Sequence, residues 1–146
     1  MNNIVKIVLM SLVTVAVFAQ KKPNVIYIYA DDLGYGELGS YGQQKIKTPN
    51  LDKIAKEGIK FTQHYAAAPV CAPSRAMLMT GKNSGHSYIR GNYELGGFED
   101  ENEGGQMPLP EGTFTIAKLM KQAGCTTGGI GKWGLGMSNT TGDPNK

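Results

Sequence analysis

The chain has 146 residues, of which 40% are hydrophobic and 18% are charged, and its formal net charge is +3. This length predicts one compact domain, and the composition excludes an intrinsically disordered polyelectrolyte. The small and scattered positive charge excludes a nucleic-acid-binding footprint, and the 2 cysteines are too few for a disulfide framework.

The N-terminal segment has the pattern of an export signal. One charged residue, Lys6, precedes an apolar run from Ile7 to Phe18, and small residues occupy the usual cleavage positions. An apolar run of about 12 residues is too short to span a bilayer and is typical of a signal peptide. We therefore predict a signal peptide at residues 1–19, with an uncleaved N-terminal anchor as the alternative. The mature protein is then periplasmic or extracellular, with no stable membrane span after cleavage.

Strand-like and helix-like patterns alternate along the rest of the chain. Short runs of β-branched and aromatic residues indicate buried strands, and N-caps, apolar periodicity and terminal glycines indicate helices. This alternation predicts an α/β fold with a mostly parallel sheet flanked by helices. The predicted strands are residues 24–30, 59–66 and 126–130, and the predicted helices are residues 48–58, 74–81 and 115–123.

Each predicted helix has an apolar face that we expect to be buried. The expected buried residues are Leu51, Ile54 and Ala55 in the first helix, residues 76–79 in the second, and Ile116, Leu119 and Met120 in the third.

Two adjacent carboxylates, Asp31 and Asp32, follow the first predicted strand. Ligands of open α/β sheets bind beyond the carboxyl ends of the strands, and paired carboxylates there are costly unless a positive charge balances them. A hard divalent cation with oxygen ligands fits this position. The alternative is a solvated strand end at which Asp32 caps a turn.

A second chemical feature is the segment from Cys71 to Arg75. Pro73 suits the first turn of a helix, so Cys71 is expected just before a helix N-terminus, where N–H groups and the helix dipole favour an anion. Arg75 adds a bidentate donor for an oxyanion. The alternatives are a buried structural cysteine and a disulfide with Cys125.

The third feature is a glycine-rich stretch, residues 128–136, which contains Lys132. Glycines after a strand allow the backbone to approach a ligand, and the lysine could neutralise an anionic group. The stretch is not a nucleotide-binding P-loop, because Trp133 occupies the position of the required Ser or Thr. The alternative is a tight turn that carries a surface lysine.

The order of these three features resembles the N-terminal part of a type I sulfatase of the alkaline-phosphatase-like superfamily. Residues 22–136 carry the resemblance, and the Cys-x-Pro-Ser-Arg element is its most specific part. The similar segments are residues 23–36 around the first strand, residues 48–61 around the first helix, and the two signature segments at residues 71–81 and 124–135.

The resemblance implies a mechanism for sulfate ester hydrolysis. The signature cysteine of this family is oxidised to formylglycine, so residue 71 would carry an aldehyde whose hydrate attacks the sulfur. Asp31, Asp32 and the modified Cys71 would bind one calcium ion, Arg75 would hold the formylglycine hydroxyl, and Lys132 would contact the sulfate. The implied partners are a sulfated small molecule or glycan and a formylglycine-generating or radical maturation enzyme.

The chain departs from the family pattern in two places. Gly134 stands where many relatives have histidine after Gly-Lys-Trp, and Lys82 stands where arginine commonly follows Thr-Gly. The family's remaining metal ligands (an Asp–Asn pair) and its later His and Lys lie further downstream. We therefore expect residues 20–146 to be the N-terminal portion of a sulfatase catalytic domain. We also expect the 146-residue chain by itself to be inactive and to fold poorly.

Two other functions remain as alternatives. A phosphonate or phosphate ester hydrolase of the same superfamily can share the cysteine motif and the metal. A non-catalytic exported module that binds an anion is the second alternative, and it would retain an unmodified Cys71.

Overall fold

The computed structural model describes residues 22–92 and 107–145, and the chain divides into two compact units, residues 1–33 and 34–146. The predicted signal peptide lies outside the described residues. Among the described residues, no helix combines the length and the apolar character that a membrane crossing requires. The helices are α1 (Pro49–Glu57), α2 (Cys71–Thr80) and α3 (Ile116–Gln122), with two short 3₁₀ helices at Tyr35–Glu37 and Gly39–Tyr41.

The three predicted strands are not observed, because residues 22–92 and 107–145 contain no β-strand. Ile26, in the first predicted strand, is 86% exposed, and Ile130, in the third, is fully exposed. A strand is stable only when its backbone N–H and C=O groups pair with a neighbouring strand. Since no such ladder forms within these ranges, the mostly parallel sheet stays a prediction.

Helix α1 confirms the predicted helix at residues 48–58. Thr48 is the N-cap residue, but its hydroxyl accepts a hydrogen bond from the Gly39 N–H at 2.8 Å and donates one to Asp52 Oδ1 at 3.1 Å. Asp52 Oδ1 also accepts the N–H of Ser40 at 2.6 Å. The polar side chains of the first turn therefore attach α1 to the preceding 3₁₀ helix.

The predicted burial of the apolar faces of α1 and α3 is wrong for this structure. Leu51 is 41% exposed and Ile54 is 62% exposed, and in α3 Ile116 and Leu119 are also exposed. An amphipathic helix buries its apolar face only where another element covers that face. Within the described residues no sheet is formed that could cover them.

Helix α2 is the centre of the hydrophobic core of the second unit. Ala76 is 1% exposed and Met77 is also buried, which confirms the predicted burial of this part of the helix, whereas Leu78 and Met79 are half-buried. Ala72 and Ala76 lie one turn apart on the same face. The core consists of Ala72, Ala76, Ile89, Met107, Leu109 and Leu135, and Met79 and Trp133 pack against it.

Helix α2 begins at Cys71, three residues before the predicted start at Ser74. Pro73 is compatible with this earlier start, because the first turn of a helix makes no use of its missing N–H. The helix ends at Thr80, and the cap residue Gly81 has a φ of 67°, a left-handed conformation that glycine adopts without strain.

Helix α3 confirms the predicted helix at residues 115–123. Its N-cap is Thr115, whose hydroxyl accepts the N–H of Lys118 at 3.3 Å. Gly124 follows the helix with a φ of 80°, as the sequence predicts for a helix-terminating glycine.

Two hydrogen bonds join the glycine-rich stretch to the segments on either side of it, and a third joins those two segments to each other. The Leu109 N–H donates to the Leu135 carbonyl at 2.9 Å, and Trp133 Nε1 donates to the Gly142 carbonyl at 2.8 Å. Thr141 Oγ1 donates to the Leu109 carbonyl at 2.7 Å. Since Leu135 is completely buried, these contacts anchor the backbone that carries Lys132.

Candidate active site

The first turn of α2 positions Cys71, which is the first residue of the helix and is half-buried. The next three residues, Ala72, Pro73 and Ser74, are buried and fix how this helix end packs. The sequence predicts Cys71 just before the helix. The structure places it inside the first turn instead.

The backbone amides near Cys71 are largely engaged by the protein itself. The Ala72 N–H donates to Asn92 Oδ1 at 2.8 Å, and the Ser74 N–H donates to the Val70 carbonyl at 3.2 Å. Pro73 has no N–H to offer. The sequence-based expectation that backbone amides form the anion cradle is therefore corrected: at these positions the available donors are side chains.

Lys132 is one of these side-chain donors. Its Nζ atom lies 3.9 Å from Cys71 Sγ. Gly131 and Gly134 flank the Lys132-Trp133 pair with φ values of 110° and 70°, which are left-handed conformations. The same left-handed backbone explains why glycine suits position 134, because a side chain there would be strained.

Asn92 is the second donor, and sequence reasoning assigns it no role. Its Nδ2 atom donates to Cys71 Sγ at 3.1 Å, while its Oδ1 atom accepts the Ala72 N–H. Asn92 lies in the aperiodic segment after α2, where an asparagine is an ordinary loop residue. Nothing in the local sequence distinguishes it, since the contact spans 21 positions.

Arg75 lies one turn after Cys71 in α2, and residues at this spacing share a helix face. The residue is half-buried, and its Nη1 atom is buried. Arg75 therefore holds a permanent positive charge beside the first turn of the helix.

Asp31 and Asp32 belong to the first unit, residues 1–33, and both are exposed. Asp32 has a φ of 54°, a left-handed conformation that aspartate tolerates better than most residues. Within residues 22–92 and 107–145, His, Cys, Asp and Glu side chains form no group of three or more that could hold a metal ion.

The disulfide alternative is not observed, because Cys71 and Cys125 are both reduced thiols. Both side chains are half-buried. The structure therefore leaves the sulfur of Cys71 in contact with the nitrogen donors of Asn92 and Lys132.

The chain is similar to sulfatases over most of its length. The family model described as Sulfatase matches residues 23–146. The chain is 49% identical over 116 residues to the steryl-sulfatase of Rattus norvegicus, which covers 80% of this chain and 20% of that protein. It is 44% identical over 119 residues to the arylsulfatase A of Bos taurus, which covers 82% of this chain and 22% of that protein.

The fold is similar to that of a solved structure titled "Crystal structure of Ps i-CgsB". The TM-score is 0.71 at 39% sequence identity, and the match covers 86% of this chain and 26% of that chain. The family match and the curated relatives show that the chain belongs to the sulfatase family. The chain spans about one fifth of the length of these curated relatives.

Proposed function

We propose that the full-length protein to which this chain belongs hydrolyses sulfate esters, with residue 71 as the nucleophile. One observation carries the proposal: two nitrogen donors, Asn92 Nδ2 at 3.1 Å and Lys132 Nζ at 3.9 Å, converge on the Cys71 side chain. Donors that surround one side chain suit a group that binds and attacks a negatively charged ester. The curated relatives named as sulfatases support the same activity.

The nucleophile is formed when Cys71 is oxidised to formylglycine by a formylglycine-generating or radical maturation enzyme. The Cβ–S bond breaks, the sulfur leaves as hydrogen sulfide, and a carbonyl oxygen takes its place on Cβ. The carbon gives up two electrons in this change, and the maturation enzyme supplies the oxidant. Addition of water to the aldehyde then gives a geminal diol.

The diol hydrolyses the ester in two steps. One hydroxyl loses its proton and attacks the sulfur, and the S–O bond to the alcohol breaks. The second hydroxyl then loses its proton, the carbonyl forms again, and the C–O bond to sulfate breaks. Lys132 contacts the sulfate oxygens, while Arg75 holds the diol hydroxyl and balances its developing negative charge.

Asp31 and Asp32 fit a calcium ion in the chemistry of their donors. Both are exposed carboxylates, and oxygen is the ligand that calcium prefers. They would hold the ion together with further ligands from the full-length protein. A calcium ion held there would polarise sulfate oxygens and favour an ionised hydroxyl.

We also propose that the protein is exported after cleavage behind residue 19 and acts in a periplasm or outside the cell. N-terminal sequencing of the mature protein tests this proposal. A first residue of Gln20 supports it, and a retained Met1 contradicts it.

The main test determines the chemical state of residue 71 and the type of ester that the protein hydrolyses. Full-length protein is produced with a maturation enzyme, and mass spectrometry of the peptide that contains Cys71 reports aldehyde or thiol. Hydrolysis of an aryl sulfate is then compared with hydrolysis of an aryl phosphate diester, and Cys71→Ala is the control. An aldehyde with preferred sulfate turnover supports the proposal. Preferred phosphate turnover indicates the related phosphoesterase, and a retained thiol without turnover indicates an anion-binding module.

The activity is proposed for the full-length protein and not for the 146-residue chain alone. The described residues gather no complete metal site. We therefore expect the 146-residue chain to give no aryl sulfate turnover above that of its Cys71→Ala variant.

A further inference from the structure

We propose that Asn92 is a positioning residue that fixes the side chain of residue 71 for attack on the ester. This inference rests on the function proposed above and names a further residue that the reaction requires. The observation behind it is that one amide group binds both the backbone and the side chain at the start of α2.

The two hydrogen bonds determine the orientation of the Asn92 amide. The Ala72 N–H is a donor, so the group that faces it must be the carbonyl oxygen Oδ1, at 2.8 Å. The NH₂ group must then face Cys71 Sγ, at 3.1 Å. A flipped amide would place the NH₂ group against the Ala72 N–H, so two donors would meet and this bond would be lost. The Ala72 N–H therefore keeps the NH₂ group of Asn92 directed at residue 71.

The loop that carries Asn92 is held in place by its own contacts. Arg90 Nη2 donates to the Gly85 carbonyl at 2.7 Å, and Arg90 Nε donates to the Ser87 carbonyl at 3.1 Å. Ile89 is 1% exposed and belongs to the same core as Ala72 and Ala76. The segment just before Asn92 is therefore packed against α2 itself, which preorganises the amide before any substrate binds.

The amide has a specific consequence for the reaction. When Cβ of residue 71 carries two oxygens, the Nδ2 donor can bind one of them and restrict rotation of the side chain. A donor at this position favours the negative charge that develops on the attacking oxygen, and a carboxylate would oppose it. Since Asn92 acts through residue 71, we expect its replacement to lower kcat.

The decisive variant is Asn92→Asp in the matured full-length protein. It keeps an acceptor for the Ala72 N–H and replaces the NH₂ donor with a carboxylate oxygen. We expect kcat for an aryl sulfate, normalised to aldehyde content, to fall about 100-fold with KM almost unchanged. A purely structural role predicts no such separation of the effect on kcat from the effect on KM.

The matched control is Asn83→Asp, which makes the same change in the same loop. Asn83 Oδ1 accepts the Gly85 N–H at 3.0 Å, and an aspartate can keep this contact. We expect wild-type kcat and KM for this variant. Equal losses of kcat in Asn92→Asp and Asn83→Asp would overturn the proposal. They would show that a change in the loop lowers kcat without any effect on the contact with residue 71.

A second measurement does not depend on sulfatase activity. In protein produced without a maturation enzyme, the rate of Cys71 alkylation by iodoacetamide reports the environment of the thiol. Asn92→Asp should slow this reaction about tenfold, because a carboxylate disfavours the reactive thiolate. Unchanged or faster alkylation would overturn the proposal. It would show either that the amide only stabilises the start of α2 or that it does not contact the sulfur.

The two measurements separate the failure of this inference from the failure of the proposed function. If matured wild-type protein does not hydrolyse sulfate esters, the proposed function is wrong and the role of Asn92 in catalysis falls with it, whatever the alkylation rate. If wild type is active and Asn92→Asp matches its kcat, only the positioning role of Asn92 is wrong.

Discussion

Lys132 Nζ lies 3.9 Å from Cys71 Sγ, although the two residues are separated by 61 positions in the chain. The contact depends on the packing of the residues that follow each of them. Cys71 begins a helix whose first turn is buried, and Lys132 is close to Leu135, which is completely buried in the same core. A flexible cation is thereby kept near the proposed nucleophile.

Replacement of this cation should reduce catalysis. We expect Lys132→Met in the matured full-length protein to lower kcat/KM for an aryl sulfate by about 100- to 1000-fold, because the variant loses one donor to the transferred sulfo group. Steady-state kinetics measures the effect. Lys53→Met is the control, since Lys53 forms only an exposed ion pair with Glu57 and should retain wild-type activity. A Lys132→Met enzyme with full activity would remove Lys132 from the proposed mechanism.

Asp31 and Asp32 should be needed for calcium binding. We expect Asp31→Asn and Asp32→Asn each to weaken calcium binding by at least about tenfold, because each removes one negative ligand from the ion. Titration calorimetry on chelator-treated full-length protein measures this affinity without any reference to activity. Glu111→Gln, at an exposed position, is the control that removes one negative charge elsewhere. Unchanged affinity in both aspartate variants would exclude the proposed metal site.

Chelation provides a related test of the holoprotein. Removal of the divalent cation should abolish aryl sulfate turnover, and added calcium should restore it. Activity that persists after exhaustive chelation, with the metal content checked by elemental analysis, would contradict a calcium-dependent reaction.

Gly142 should tolerate no side chain. A Cβ atom at this position would overlap the Leu135 carbonyl oxygen and lie 2.7 Å from the Leu109 nitrogen, and both are backbone atoms that cannot move aside easily. We expect Gly142→Ala to lower the free energy of unfolding of the full-length protein by about 1–3 kcal/mol. Urea-induced unfolding measures the change.

The control for this variant is Gly36→Ala, because a Cβ atom there meets nothing within 4 Å. Its stability should stay close to that of wild type. Equal stability of both variants would show that the contacts of residues 135 and 142 do not constrain the protein.

Asp52 should stabilise the attachment of α1. Its Oδ1 atom accepts hydrogen bonds from the Ser40 N–H at 2.6 Å and from Thr48 Oγ1 at 3.1 Å. Hydrogen bonds to a charged group contribute about 1.5–3 kcal/mol each, so Asp52→Ala should lower the free energy of unfolding by at least about 1.5 kcal/mol.

Glu57→Ala is the matched control in the same helix. Glu57 forms an ion pair with Lys53 at 3.9 Å, and both side chains are well exposed, so the loss should be below about 0.5 kcal/mol. A similar loss in both variants would show that the carboxylate of Asp52 has no special structural role.

The sequence by itself determined the three helices, because their signals are local. Pro49 at the start of α1, Gly81 after α2 and Thr115 at the cap of α3 act within one helical turn of the residues that they affect. The motif from Cys71 to Arg75 likewise identified the sulfatase family, since its residues are consecutive.

Strands and long-range contacts depend on residues that are distant in the sequence. A strand needs backbone partners that its own residues cannot provide, so the apolar pattern at residues 24–30 was not enough to make one. The contact of Asn92 with Cys71 likewise required Ile89 to pack beside Ala72, and no local pattern encodes that packing. Tertiary structure therefore decided which donors reach residue 71, because hydrogen bonds between distant residues form only where a shared core holds their backbones together.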